Sequence, residues 1–105
     1  MSTFNDLINK NEVPVLVDFY ADWCGPCKMM APVLEQVAQT MSGRVKVIKV
    51  DVDRNQAVAD QYQIRSIPTL MLFHKGQILW QQAGAMPAHQ LVTQLNIYAP
   101  ATQTA

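Results

Sequence analysis

Residues 13–20 read Val-Pro-Val-Leu-Val-Asp-Phe-Tyr, and no other stretch limits the possible folds so strongly. Apolar side chains occupy both alternating faces, the pattern of a central parallel strand covered by helices on both sides. Pro14 suits the start of such a strand, where a missing N–H does least harm to the ladder. On either side of the run the period changes to that of helices. Phe4, Leu7 and Ile8 recur at i, i+3, i+4 behind Ser2 and Thr3 and predict a short helix. Met30, Val33, Leu34, Val37, Ala38 and Met41 predict a long one that Gly43 ends, with Pro32 inside it expected to introduce a kink. Residues 45–52 predict a second strand and 56–62 a short helix. Residues 69–74 and 78–83 predict a hairpin turning at Lys75-Gly76. Pro87 opens a last helix with Leu91, Val92, Leu95 and Tyr98 on its core face. The order α-β-α-β-α-β-β-α predicts an α/β fold, a mixed sheet with helices on both faces. Periodicity leaves the order of strands open.

A chain of 105 residues is expected to form one domain over residues 1–105, with 100–105 as a polar, frayed tail. The formal net charge of zero lacks the basic field that meets phosphates, so no nucleic acid is expected as a partner. No apolar run approaches the ~18 residues of a membrane span, so no membrane partner is expected either. The first residues, Met1-Ser2-Thr3-Phe4-Asn5-Asp6, lack the basic-then-apolar layout of a signal peptide, and the expected compartment is the cytoplasm, although a mature secreted form with its signal removed would look the same.

The chain's two cysteines stand in Trp23-Cys24-Gly25-Pro26-Cys27-Lys28, between the apolar strand and the long helix. A helix N-terminus carries free N–H groups and partial positive charge, both of which favour a thiolate. Cys24 falls ahead of the helix or at its first residue and Cys27 within the first turn, so the outer cysteine is expected to be exposed and reactive and the inner one more buried. Proline between them fixes its own φ and suits a first turn. A zinc site wants four ligands, whereas the only histidines, His74 and His89, lie in different elements. Covalent haem needs histidine after the second cysteine, where Lys28 stands. A disulfide across so short a loop constrains little chain entropy and is no staple in a reducing compartment. A redox couple is the reading that suits the spacing and its strand–helix context.

Asp18 is the one acidic residue of the apolar strand. It is either a solvated strand end or a buried carboxyl, which burial would hold toward its neutral form and which could take a proton from Cys27 and return it. Lys49, in the second strand, either faces Asp18 or blunts an edge. Pro68 precedes a strand. A cis Ile67–Pro68 bond would turn the backbone of Ile67 outward for an extended substrate to pair with, although sequence alone favours trans. Trp23 is either core or a contact surface beside the cysteines; Trp80 reads as packing. Gly84 either lets a partner's backbone approach or supplies a turn.

Taken together, residues 17–28, Pro32, Ile64-Arg65-Ser66-Ile67-Pro68-Thr69-Leu70 and Gly84-Ala85 closely resemble the thioredoxin family, over about residues 3–99. The resemblance implies the thioredoxin fold, a cis bond at Pro68, Asp18 buried behind Cys27 and Lys49 near Asp18. It also implies a redox-active disulfide of Cys24 and Cys27, with Cys24 as nucleophile and Cys27 resolving, and assigns Asp18 and Lys49 to the catalytic set. Trp23, Gly25, Pro26, Ile67, Pro68 and Gly84 would form the substrate surface. The implied activity is reduction of protein disulfides by dithiol–disulfide exchange, by a monomer that binds no cofactor. Its implied partners are disulfide-containing proteins and a flavoprotein thioredoxin reductase that draws electrons from NADPH. Gly25-Pro26 resembles the reducing members, since proline before the second cysteine leaves the thiolate less stabilised and the dithiol a better reductant. Two features depart from the pattern. The chain is expected to begin at the first helix, without the strand that typical members place before it, and so to form a four-stranded sheet with residues 45–52 at an edge, Lys46 and Lys49 blunting it. Tyr20 stands where many bacterial members have tryptophan.

Overall fold

The computed structural model describes residues 3–99. Ser2 and the expected tail over 100–105 lie outside the described residues. The described chain forms α1 (Phe4–Lys10), β1 (Val15–Tyr20), α2 (Gly25–Thr40), β2 (Lys46–Asp51), α3 (Gln56–Gln61), β3 (Thr69–His74), β4 (Gln77–Ala83) and α4 (Ala88–Tyr98). Among the described residues these strands make one sheet of four in the order β2-β1-β3-β4. β1 runs parallel to β2 and antiparallel to β3, and β3 pairs antiparallel with β4. The expected mixed sheet is therefore present, and β2 is one of its edges. Lys46 and Lys49 on it are both exposed, as expected of charges on an open edge.

The two-faced pattern of β1 is explained by two cores. Leu16 joins Met30 and Leu34 of α2, Leu70 and Leu72 of β3, and Leu91 of α4 on one face. Val15, Val17 and Phe19 join Ile8, Met71 and Phe73 on the other, closed by Phe4, Val58 and Tyr62 from α1 and the α3 region. The four aromatic rings there pack at centroid distances of 5.3–6.2 Å, three of the contacts edge-on. Residues 16 and 18 point to the same face of a strand, so Asp18 lies on the α2 side.

The helix boundaries follow local chemistry. Thr3 caps α1 by accepting the Asp6 N–H at 3.1 Å. α2 continues through Pro32, whose ring is exposed. The hairpin turns through Lys75 and Gly76 at φ 53° and 83°; positive φ at both central residues is the turn whose twist matches the flanking strands. Two expectations are corrected. Pro87 caps α4 from outside the helix rather than occupying its first position, and Tyr98 is 40% exposed rather than on the core face. The helix packs through Leu91 and Leu95, and Tyr98 falls beyond that stripe.

Phe73 is fully buried between Phe4 and Tyr62. Phe73→Ala is expected to lower unfolding free energy by about 3–5 kcal/mol, measured as a fall in the urea midpoint.

Candidate functional site

The C-terminal end of β1 delivers the chain to the N-terminus of α2, and the cysteines sit at that junction. Cys24 is the N-cap residue of α2 with extended backbone, and its Sγ accepts the Cys27 N–H at 3.1 Å. A sulfur thus meets one of the N–H groups that a helix start leaves unsatisfied. Gly25 and Pro26 occupy the first two helical positions, where proline's missing N–H removes no helical bond. Cys24 and Cys27 are joined as a disulfide with Cα atoms 5.2 Å apart. In this form both residues are shielded, 5% and 4% exposed. The expectation of an exposed outer cysteine is therefore corrected: Cys24 clusters with Ala21 and Cys27, with Tyr20, Val52 and Ile67 packed against the cluster, and is shielded almost as fully as Cys27. The two differ in position, Cys24 at the helix mouth and Cys27 inside the first turn.

The residues expected around the pair converge on it unevenly. The Ile67–Pro68 bond is cis, and the Ile67 carbonyl oxygen lies 3.8 Å from Cys24 Sγ. The Pro68 carbonyl accepts the Gly84 N–H at 2.8 Å, which brings the loop after β4 beside it. Gly84 has φ +95°, a conformation side chains rarely adopt, and is exposed. The Met86 N–H bonds Met30 Sδ at 3.4 Å and ties that loop to α2. Trp23 is 70% exposed, so it is a surface residue rather than core. Trp80 is half-buried against the α2-side core, as its packing role requires.

Asp18 is fully buried, and neither carboxylate oxygen has a hydrogen-bond partner among the described residues. Burial pushes its carboxyl up from 3.8 to about 6, and the nearby Lys49 charge opposes the rise. Lys49 stands directly opposite Asp18 in the parallel register, yet it is exposed and its ammonium lies over the Tyr20 ring, 4.5 Å from the centroid. A pocket of ≈ 200 Å³ reaches from Tyr20 and Lys49 to Cys27, Lys28 and Ala31. One side of the inner cysteine thus opens toward the lysine that adjoins Asp18.

Two contacts are not legible in the sequence. The Trp23 indole donates to Asp53 Oδ2 at 2.7 Å across thirty residues of chain. Asp51, buried, accepts the N–H groups of Asp53 and Arg54 at 2.8 and 3.3 Å, which shapes the loop that presents Asp53. Asp51 and Asp53 are visible as a polar cluster at a strand end, but nothing in the spacing connects them to Trp23.

The family model described as Thioredoxin matches residues 1–97. The chain belongs to the thioredoxin family. Thioredoxin 1 of Nostoc is 55% identical over 86 residues, covering 82% of this chain and 80% of that protein. Thioredoxin of Haemophilus influenzae is 47% identical over 93 residues, covering 89% and 87%. A rice protein named Thioredoxin Y, chloroplastic, is 43% identical over 94 residues, 90% of this chain and 56% of that protein. The thioredoxin family consists of protein disulfide oxidoreductases, and Cys24 and Cys27 form its redox-active type of pair. Among the described residues no helix is long and apolar enough to cross a membrane.

Asp18 holds its proton more tightly folded than unfolded, so folding is favoured by acid. Stability is fully present below about pH 4 and falls as pH rises through about 6. The difference between 3.8 and about 6 corresponds to about 3 kcal/mol. Asp18→Asn is expected to remove this dependence. The stability of the variant relative to the parent should rise by about that amount between acid and neutral pH, read from urea midpoints at each pH.

Proposed function

We propose that this chain reduces disulfides in protein substrates, with Cys24 attacking and Cys27 resolving. The observation that carries the reading is the Cys24 sulfur at the helix mouth, accepting an N–H at 3.1 Å where a thiolate's charge is best received. In the reduced protein the Cys24 thiolate attacks one sulfur of the substrate disulfide, and the other substrate sulfur leaves as a thiolate. The mixed disulfide then holds substrate on Cys24. Cys27 gives its proton to Asp18 and attacks the Cys24 sulfur, and the second substrate sulfur leaves and takes up a proton. Two electrons pass to the substrate, and Cys24 and Cys27 end as the disulfide described above.

Asp18 suits the proton role because burial sets it to titrate near pH 6 on the α2 side of the sheet. Lys49 would tune that titration through its charge. Trp23, Gly25, Pro26, Ile67, Pro68 and Gly84 form the docking surface, supported by the exposed indole and by the Ile67 carbonyl beside Cys24. The electron source we assign is NADPH through a flavoprotein thioredoxin reductase, acting on a cytoplasmic, monomeric, single-domain protein without a bound cofactor.

The test is insulin reduction coupled to thioredoxin reductase and NADPH. Cys24→Ser is expected to abolish turnover, whereas Cys27→Ser is expected to accumulate the mixed disulfide, seen as a covalent adduct on non-reducing gels. Full insulin reduction by Cys24→Ser would end the proposal.

A further inference from the structure

We propose that Tyr20 is a positioning residue for the reaction: its ring seats the Lys49 ammonium beside the buried Asp18, at the rim of the pocket that reaches Cys27. The inference rests on the reading of Asp18 as the proton partner of Cys27. Tyr20, Asp18 and Leu16 alternate along β1 and share the α2 face. Lys49 is opposite Asp18 in register, and its Nζ lies 4.5 Å from the Tyr20 ring centroid, within the range of a cation–π contact. Lys49 forms none of the ion pairs found among the described residues. The contact that places its flexible, exposed chain is therefore the ring.

The other charged and titratable groups around this centre are few. α2 contributes Cys27 and Lys28 to the pocket, and Glu35 to an adjoining groove along Lys49. The loop after β1 contributes Asp22. β3 places Leu70 opposite Asp18, and α4 turns Leu91 and Leu95 toward this core. Lys49 is the cation that stands in register with the carboxyl. Without the ring an exposed ammonium spreads into water, and its mean distance from the buried carboxyl grows. The carboxyl then keeps its proton to higher pH, because the charge opposing its burial acts from farther away.

The experiment follows the Asp18 carboxyl ¹³C signal against pH in the oxidised protein. Tyr20→Leu is expected to raise the midpoint by roughly half a pH unit, about threefold in proton affinity, while Tyr20→Phe, which keeps the π face, leaves it in place. Replacing Tyr20 with pentafluorophenylalanine keeps the shape but reverses the ring quadrupole, and is expected to raise the midpoint as leucine does. In a Lys49→Met background neither ring change should move it further. An unmoved midpoint in the leucine and pentafluorophenylalanine proteins, or an equal rise without Lys49, overturns the inference.

A parallel pH profile of mixed-disulfide release separates this from the reading beneath it. The inflection is expected to follow the carboxyl midpoint upward in the Tyr20 variants and to vanish in Asp18→Asn. An inflection that persists unchanged in Asp18→Asn overturns the role of Asp18 itself, whatever the carboxyl signal does.

Discussion

An α-helix begins with backbone N–H groups that no carbonyl of its own can satisfy, and at the start of α2 one of them points at a sulfur. That contact, from the Cys27 N–H to Cys24 Sγ, organises much else in the molecule. It requires extended backbone at Cys24, supplied where β1 ends and the chain turns into α2. It requires a first turn that tolerates proline and puts the second cysteine three residues on. It also requires that β1 be held firmly, which packing on both faces of the strand accomplishes. The same N–H that now bonds a disulfide sulfur is poised to receive the negative charge of a thiolate.

The second constraint is electrostatic and works against stability. A carboxyl with no hydrogen-bond partner among the described residues sits in the central strand, fully buried. An apolar side chain there would pack without any desolvation penalty. The penalty leaves a group that changes charge near pH 6, on the face of the sheet that α2 covers. In the proposed mechanism, stability and proton transfer thus pull the same residue in opposite directions. In that mechanism, the pocket between Tyr20, Lys49 and Cys27 is where the electrostatics of this carboxyl would meet the chemistry of the sulfur.

Much of this was legible in the sequence because it is local. The two-faced pattern of residues 13–20 identified the central strand, and the placing of Gly25-Pro26 identified the helix start. Lys75-Gly76 identified the hairpin turn. What stayed hidden depends on pairing across the chain. The strand order, and with it the register that sets Lys49 opposite Asp18, does not follow from periodicity. Neither does the bond from Trp23 to Asp53, since an aspartate after a strand looks like any polar loop residue. The near-equal shielding of the two cysteines is hidden for a similar reason. Cys24 lies beside the Ile67 carbonyl, which comes from far along the chain. The cis bond at Pro68 came only from the family resemblance, because local chemistry favours trans.

In the proposed mechanism the helix mouth makes Cys24, rather than Cys27, the attacking sulfur. Freshly reduced protein treated at neutral pH with less than one equivalent of iodoacetamide, then mapped by peptide mass spectrometry, tests it directly. The carbamidomethyl group is expected on Cys24 with Cys27 unmodified. Equal labelling of the two, or earlier labelling of Cys27, would contradict it.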